Sequence, residues 1–202
     1  MIAKRLFDII FSFVGLTVLL PLFFIVAVWI KIDSKGPIFF RQVRVGQFGH
    51  HFRIHKFRTM QAEQPPAALQ ITAGIDSRIT KSGVFLRKYK IDELPQLIDV
   101  FTGTMSIVGP RPEVPKYMDV YPEGLRNIIL SVRPGITDWA SLEFRKESSL
   151  LASADDPEKE YIEKILPIKQ NYYLRYVKSR NFIVDMKIIF ATLYFVFIRP
   201  RS

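Results

Sequence analysis

Residues 9–30 read IIFSFVGLTVLLPLFFIVAVWI, and this stretch decides the architecture. It carries no charge, and its polar side chains are Ser12 and Thr17. At about 1.5 Å rise per residue, its 22 residues reach roughly 33 Å as a helix, enough to cross the apolar core of a bilayer. No small-residue cleavage site follows, which disfavours a cleaved signal peptide. Two features argue against a simple spanning helix. Pro21 lies a little past the middle, where it removes a backbone hydrogen bond and kinks a helix. Basic residues also flank both ends: Lys4 and Arg5 before, then Lys31, Lys35, Arg41 and Arg44 after. A spanning helix usually keeps its Lys/Arg excess on one side. The residues alone leave two readings open, a spanning helix and a re-entrant, hairpin-like one broken at Pro21.

The remainder of the 202 residues fits one domain, and 49% apolar content is ordinary for a globular chain, which excludes a polytopic membrane protein. The net charge of +10 calls for an anionic partner: nucleic acid, anionic lipid or a phosphorylated substrate. The absence of cysteine excludes disulfides and zinc–thiolate sites. His50, His51 and His55 lie in one strand and its turn without carboxylate neighbours, a poor zinc set. A second apolar stretch, Phe182 to Ile198, is interrupted by Asp185 and Lys187. It reads either as an interfacial helix, with Arg199 and Arg201 meeting lipid headgroups, or as a core helix.

Between these stretches the pattern predicts an α+β domain, mostly helical. Ile38–Val45 and His51–Phe57 are rich in β-branched and aromatic residues around the turn Gly46-Gln47-Phe48-Gly49, which predicts a β-hairpin. Arg41, Arg44, Arg53, His55, Lys56 and Arg58 make it basic, as a solvated or lipid-facing strand or as a row facing substrate. Residues 61–81 read as a loop with Pro65, Pro66 and Gly74, of the kind that forms lids beside active sites. Ser82 to Lys90 reads as a short helix. Residues 141–181 read as a mostly solvated helical face, with a helix start at Pro157.

Asp92 and Glu93 are adjacent carboxylates just after Arg87, Lys88 and Lys90. Such a pair in a cationic setting suits phosphate chemistry. A plainer reading makes Asp92 the N-cap of a helix and Glu93 a first-turn acid favoured by the helix dipole. The two roles are compatible, because a helix start also attracts phosphate. Adjacent helical residues point about 100° apart, so the two acids should have different tasks. Gly109-Pro110-Arg111-Pro112 follows 16 residues after Glu93 and presents Arg111 from a stiff turn. Arg133-Pro134-Gly135 repeats that composition more weakly.

Together these segments resemble the bacterial sugar transferases, or monotopic phosphoglycosyl transferases. The resemblance is carried by Lys4-Arg5-Leu6-Phe7-Asp8, Gly36-Pro37-Ile38-Phe39-Phe40-Arg41-Gln42 and Lys56-Phe57-Arg58-Thr59-Met60. It continues through Arg87 with Asp92-Glu93-Leu94-Pro95-Gln96, then Met105 to Glu113, then Arg133-Pro134-Gly135-Ile136-Thr137. The resemblance implies transfer of a sugar-1-phosphate from a UDP-sugar to undecaprenyl phosphate with Mg2+, releasing UMP, in surface glycan assembly. It implies Asp92 as nucleophile, with Glu93 holding Mg2+ or activating the lipid phosphate; both acids are candidate metal ligands. Lys56, Arg58, Arg87, Pro110, Arg111, Pro112 and Arg133 become candidate substrate residues. It also favours the re-entrant helix broken at Pro21, giving a membrane unit at 1–35 and a catalytic domain at 36–202. That places the enzyme on the cytoplasmic face of the bacterial inner membrane, and a homo-oligomer is compatible with it.

Two departures stand out. Leu20 precedes Pro21 where many members have serine, and Asp138 follows the Pro-Gly-Ile-Thr segment where many have glycine, which points to a subgroup with a different sugar. The sequence reads as the minimal catalytic unit of the family. The competing expectation is a membrane-tethered nucleic-acid-binding or scaffold protein. It accounts for the charge but not for residues 9–30, and no nucleic-acid motif is visible.

Overall fold

The structure is a computed structural model that describes residues 2–62 and 76–198. Helix α1 (Ile2–Asp33) comes first, followed by β1 (Phe39–Phe40), β2 (Val43–Val45), β3 (His51–Arg53) and β4 (Lys56–Phe57). Then come α2 (Lys81–Lys88), a 3-10 turn at Ile91–Glu93, α3 (Gln96–Thr102), β5 (Ser106–Val108), α4 (Pro115–Met118), α5 (Glu123–Ile129) and β6 (Gly135–Thr137). The chain closes with α6 (Trp139–Glu143), α7 (Glu147–Ala152), α8 (Pro157–Glu160), a π turn at Tyr161–Ile165, α9 (Leu166–Ser179) and α10 (Phe182–Phe197). It is thus mostly helical, with the expected hairpin. β1 pairs antiparallel with β4 and β2 with β3 around the Gly46–Gly49 turn. β5 and β6 form a short parallel pair.

Helix α1 is long and apolar enough to cross a membrane, and it is mostly uncovered. Its helical backbone continues through Pro21, where the sequence predicts a break. The absent amide of Pro21 leaves one carbonyl of the preceding turn unpaired without ending the helix. Both ends of α1 are tied to the same domain. Near the start, Asp8 accepts from Ser106 Oγ at 2.8 Å and Ile107 N at 3.1 Å. Lys4 donates to Asp185 at 2.6 Å, and Arg5 donates to the carbonyls of Val100 and Phe101 in the last turn of α3. Near the other end, Asp33 accepts from the amide and hydroxyl of Ser82 at 2.8 and 2.7 Å. Val26 and Ile30 pack with Phe57 and Leu86. The opposite face, including Ile10, Val14, Val18, Phe24, Ile25 and Trp29, is open.

Behind α1, one core joins Ile54, Val100, Met105, Val108, Tyr176, Ile188 and Ile189. Helix α10 bears out the core reading through Ile188 and Ile189, and its other face, with Phe182, Ile183, Phe190 and Leu193, is exposed. The expected headgroup contacts of Arg199 and Arg201 lie outside the described residues. A second core holds Val114, Tyr117, Met118, Tyr121, Leu151, Leu166 and Tyr173. Here the expectation of a solvated face over 141–181 is corrected. Leu166, Lys169, Gln170, Tyr173 and Tyr176 of α9 are all buried, at helical spacing. Charged neighbours hid that stripe, and one of its members is itself a lysine, Lys169, set over the rings of Tyr161 and Phe144 and paired with Glu147. Pro157 does start a helix, with Asp156 accepting from the amides of Glu158 and Lys159.

Candidate active site

Asp92 and Glu93 sit on the turn between α2 and α3. Thr80 caps α2 by accepting from Gly83 N. Gly83 is required there, because a Cβ would fall 2.1 Å from the carbonyl oxygen of Thr59. Lys90 then takes a left-handed conformation, φ 58°, which ends the helix and turns the chain into Ile91–Glu93. The cap reading of Asp92 is corrected. Helix α3 starts at Gln96 with Pro95 at the cap position and no side-chain cap. The 3-10 turn and Pro95 separate Asp92 from that helix, and its carboxylate is left for other work.

The two acids are both nearly buried and differ in their partners. Glu93 Oε1 accepts from Lys56 Nζ at 2.7 Å and from Arg111 Nη2 at 2.6 Å. Its Oε2 faces Lys90 Nζ across 3.6 Å. Asp92 Oδ1 is buried without a hydrogen-bond partner among the described residues. An orphaned carboxylate oxygen in a protein interior is costly and marks a functional site more often than a structural one. Burial pushes the Asp92 carboxyl above its ordinary range, and the Glu93 charge adds to this; Lys56, Lys90 and Arg87 oppose both. Burial also acts on Glu93, but Arg111, Lys56 and Lys90 outweigh it and hold that carboxyl well below its ordinary range. One acid is thus a fixed anion, and the other is poorly solvated, with an Oδ1 that has no hydrogen-bond partner among the described residues.

The cations come from three segments. Lys56 projects from β4, and burial lowers its ammonium to about 8 against the raising effect of Glu93. Arg87, in the last turn of α2, donates to Thr59 Oγ1 at 2.8 Å and feels Asp92 electrostatically. Arg111 is presented by Gly109-Pro110-Arg111-Pro112, whose seat is Arg133-Pro134-Gly135. The two turns touch so closely that a Cβ on Gly135 would lie 2.1 Å from Gly109 N. Pro110 and Pro112 are buried beside this contact. Four cations around two carboxylates leave an excess of two positive charges.

Two candidates lie elsewhere. Arg58 spends its guanidinium on the carbonyls of Pro37, Lys35 and Ser34 at 2.6, 2.7 and 2.9 Å, closing the exit of α1. Arg133 donates to Gly103 O at 2.8 Å and stands near Arg5, away from Glu93. Sequence reasoning gave Thr59 no role of its own, and it placed Arg44 in the basic hairpin row, as a solvated, lipid-facing or substrate-facing residue; the Arg44 side chain instead supports the arginine turn by donating to Pro112 O. Of the expected lid, residues 63–75 lie outside the described residues. Its two ends run side by side, with Gln61 N donating to Arg78 O and Met60 bridging to Ile79.

No group of three or more His, Cys, Asp or Glu side chains among the described residues is placed to hold a metal. Mg2+ does not need one, since it keeps several waters and takes one or two carboxylates plus substrate phosphates. Asp92 fits that demand with Oδ1. Glu93 could join through Oε2, which faces Lys90 at 3.6 Å, while its Oε1 stays with Lys56 and Arg111.

Comparison with known proteins bears on this constellation. The profile described as bacterial sugar transferase matches residues 1–199. A UDP-glucose:undecaprenyl-phosphate glucose-1-phosphate transferase of Klebsiella pneumoniae is 38% identical over 206 residues, covering 100% of this chain and 42% of that protein. A UDP-N-acetylgalactosamine-undecaprenyl-phosphate N-acetylgalactosaminephosphotransferase of Aeromonas hydrophila is 35% identical, covering 94% of this chain and 42% of its own. The exopolysaccharide production protein PSS of Rhizobium leguminosarum is 35% identical, covering 96% and 94%. The chain thus spans about two fifths of the length of the first two relatives and nearly all of the third. With a family profile covering almost every residue, the chain belongs to the bacterial sugar transferase family.

Proposed function

We propose that the protein transfers a sugar-1-phosphate from a UDP-sugar to a polyprenyl phosphate, in two steps through Asp92. A carboxylate oxygen of Asp92 attacks the β-phosphorus of the UDP-sugar. The new O–P bond forms as the bond to the bridging oxygen breaks, and UMP departs with that electron pair. The lipid phosphate then attacks the same phosphorus and returns the carboxylate, giving a polyprenyl diphosphate sugar. The observation that carries this reading is the buried, unpartnered Oδ1 of Asp92 beside an acid whose own oxygens face three cations. A desolvated carboxylate oxygen without a hydrogen bond is a better nucleophile than a solvated one.

Lys56, Arg87, Lys90 and Arg111 would hold the diphosphate, and their excess charge matches its two negative charges. Glu93 keeps Lys56 and Arg111 in place before substrate arrives. Mg2+, held by the diphosphate and Asp92, would supply further charge neutralisation. The relatives named for undecaprenyl phosphate support the acceptor class, and those named for glucose and N-acetylgalactosamine leave the sugar undecided. The contacts of Asp8 and Asp33 with one domain support a helix that enters and leaves a bilayer on the same face, which would be the cytoplasmic one, where UDP-sugars are made. The test is incubation with UDP-sugars, undecaprenyl phosphate and Mg2+. UMP release that requires the lipid for turnover supports the reading, and lipid-independent hydrolysis or no release with any UDP-sugar contradicts it.

A further inference from the structure

The open apolar face of α1 continues onto α2 and ends at Tyr89, next to Lys90. The ring of Trp29 lies 5.4 Å from that of Phe85, and Phe85 lies 4.7 Å from Tyr89. Each is 38–44% exposed although it has an aromatic neighbour. The three rings form a row that runs from the membrane helix along α2 to Tyr89, the residue before the Lys90 turn. The strip is held firmly. Asp33 bonds both the amide and the hydroxyl of Ser82, and Gly83 lies against Thr59, so α2 is locked to α1 and to the hairpin.

Charge changes along this strip. Its far end adjoins Val28 and Ile32, both exposed and apolar. Its near end has the Lys88 ammonium 5.8 Å over the Tyr89 ring, then Lys90 and Arg87 facing the two acids. A ligand that fits is a single apolar chain ending in a phosphate. A UDP-sugar offers only the single ring of its uracil to stack there, which covers one side chain of a row of three, whereas a longer apolar chain covers all three.

We infer that Trp29, Phe85 and Tyr89 seat the first isoprene units of the acceptor lipid and deliver its phosphate past Lys90 to the Asp92 phosphorus. This rests on the transferase reading for the second step. Flat, unsaturated isoprene units pack on ring faces and bury apolar area on both sides. The lipid phosphate meets fixed ammonium and guanidinium groups at the end of the strip.

The chain has two tryptophans, so Trp139→Phe makes Trp29 the sole reporter. The full chain in detergent is titrated with a short polyprenyl phosphate, with UDP-glucose and with phosphatidylglycerol. We expect a saturable change in Trp29 emission with the polyprenyl phosphate alone. Phe85→Ala/Tyr89→Ala should weaken that binding about tenfold and leave the KM for UDP-sugar unchanged. Phe85→Leu/Tyr89→Leu keeps the apolar volume and should lie between. A silent Trp29, an equal response to phosphatidylglycerol, or undiminished binding by both double variants overturns the inference. Saturable lipid binding without UMP release from any UDP-sugar overturns the transferase reading instead, and UMP release with a silent Trp29 overturns only the lipid seat.

Discussion

Arg111 Nη2 donates to Glu93 Oε1 across 2.6 Å, which joins the stiff Gly-Pro-Arg-Pro turn to the acid beside Asp92. The same oxygen accepts from Lys56, so a single carboxylate compensates two poorly solvated cations. Removing one partner of a buried pair costs about 3–5 kcal/mol, because the other charge stays desolvated. Glu93→Gln should therefore lower the unfolding midpoint clearly and cut UMP release about a hundredfold. Thermal unfolding and a UMP assay check both effects; an unshifted midpoint would show that the cations find other partners.

Lys56 gives the expected pH dependence. Burial lowers its ammonium to about 8, so it is charged below that pH and neutral above it. The charged form is the one that holds a diphosphate. The kcat/KM for UDP-sugar should fall as pH rises through about 8, a profile that reports groups of the free enzyme. In Lys56→Arg, which stays charged, the alkaline limb should move out of range even if the rate is lower.

Arg58 should act on stability first. Its three donors reach the carbonyls of Ser34, Lys35 and Pro37, where α1 leaves the domain. A lysine reaches one of these at most. Arg58→Lys should cost about 2–4 kcal/mol and speed amide exchange around residues 34–38, seen by hydrogen exchange with mass spectrometry. A drop in turnover without either change would instead put Arg58 in contact with substrate.

Much of this was readable in the sequence where one local pattern carried the information. The uncharged run at 9–30 specified α1, and the Gly46–Gly49 turn between β-rich segments specified the hairpin. The Asp92-Glu93 pair and Arg111 stood out by chemistry alone. The pairing of Lys56 with Glu93, 37 residues apart, was not legible, because only the packing of the hairpin against the 91–93 turn creates it. Asp92 looked like a cap because Asp followed by Glu and Pro is a helix-start pattern; the turn at Lys90 and the restart after Pro95 override it. Arg58 became a substrate candidate through the family motif it shares with Lys56; it lies just past the end of β4, and the carbonyls of Ser34, Lys35 and Pro37, 21 to 24 residues earlier in the chain, take up its guanidinium, a contact no local pattern shows. Buried Lys169 concealed the core stripe of α9.

Membrane topology can be read by labelling, since the chain has no cysteine of its own. Ala3→Cys and Lys35→Cys place single thiols at exposed positions, one in the first turn of α1 and one just past its end. In sealed vesicles an impermeant maleimide should label both from the same side. Labelling from opposite sides would make α1 a spanning helix and contradict the same-face arrangement.

The covalent role of Asp92 is tested most directly by the intact mass of the protein after incubation with a UDP-sugar and Mg2+ in the absence of lipid acceptor. The account predicts a mass gain of one sugar phosphate, on the peptide that contains Asp92, with UMP released in equal amount. Adding polyprenyl phosphate should discharge it, and Asp92→Asn should show neither the adduct nor turnover. Undiminished turnover by Asp92→Asn would contradict the account, as would wild-type turnover without any adduct.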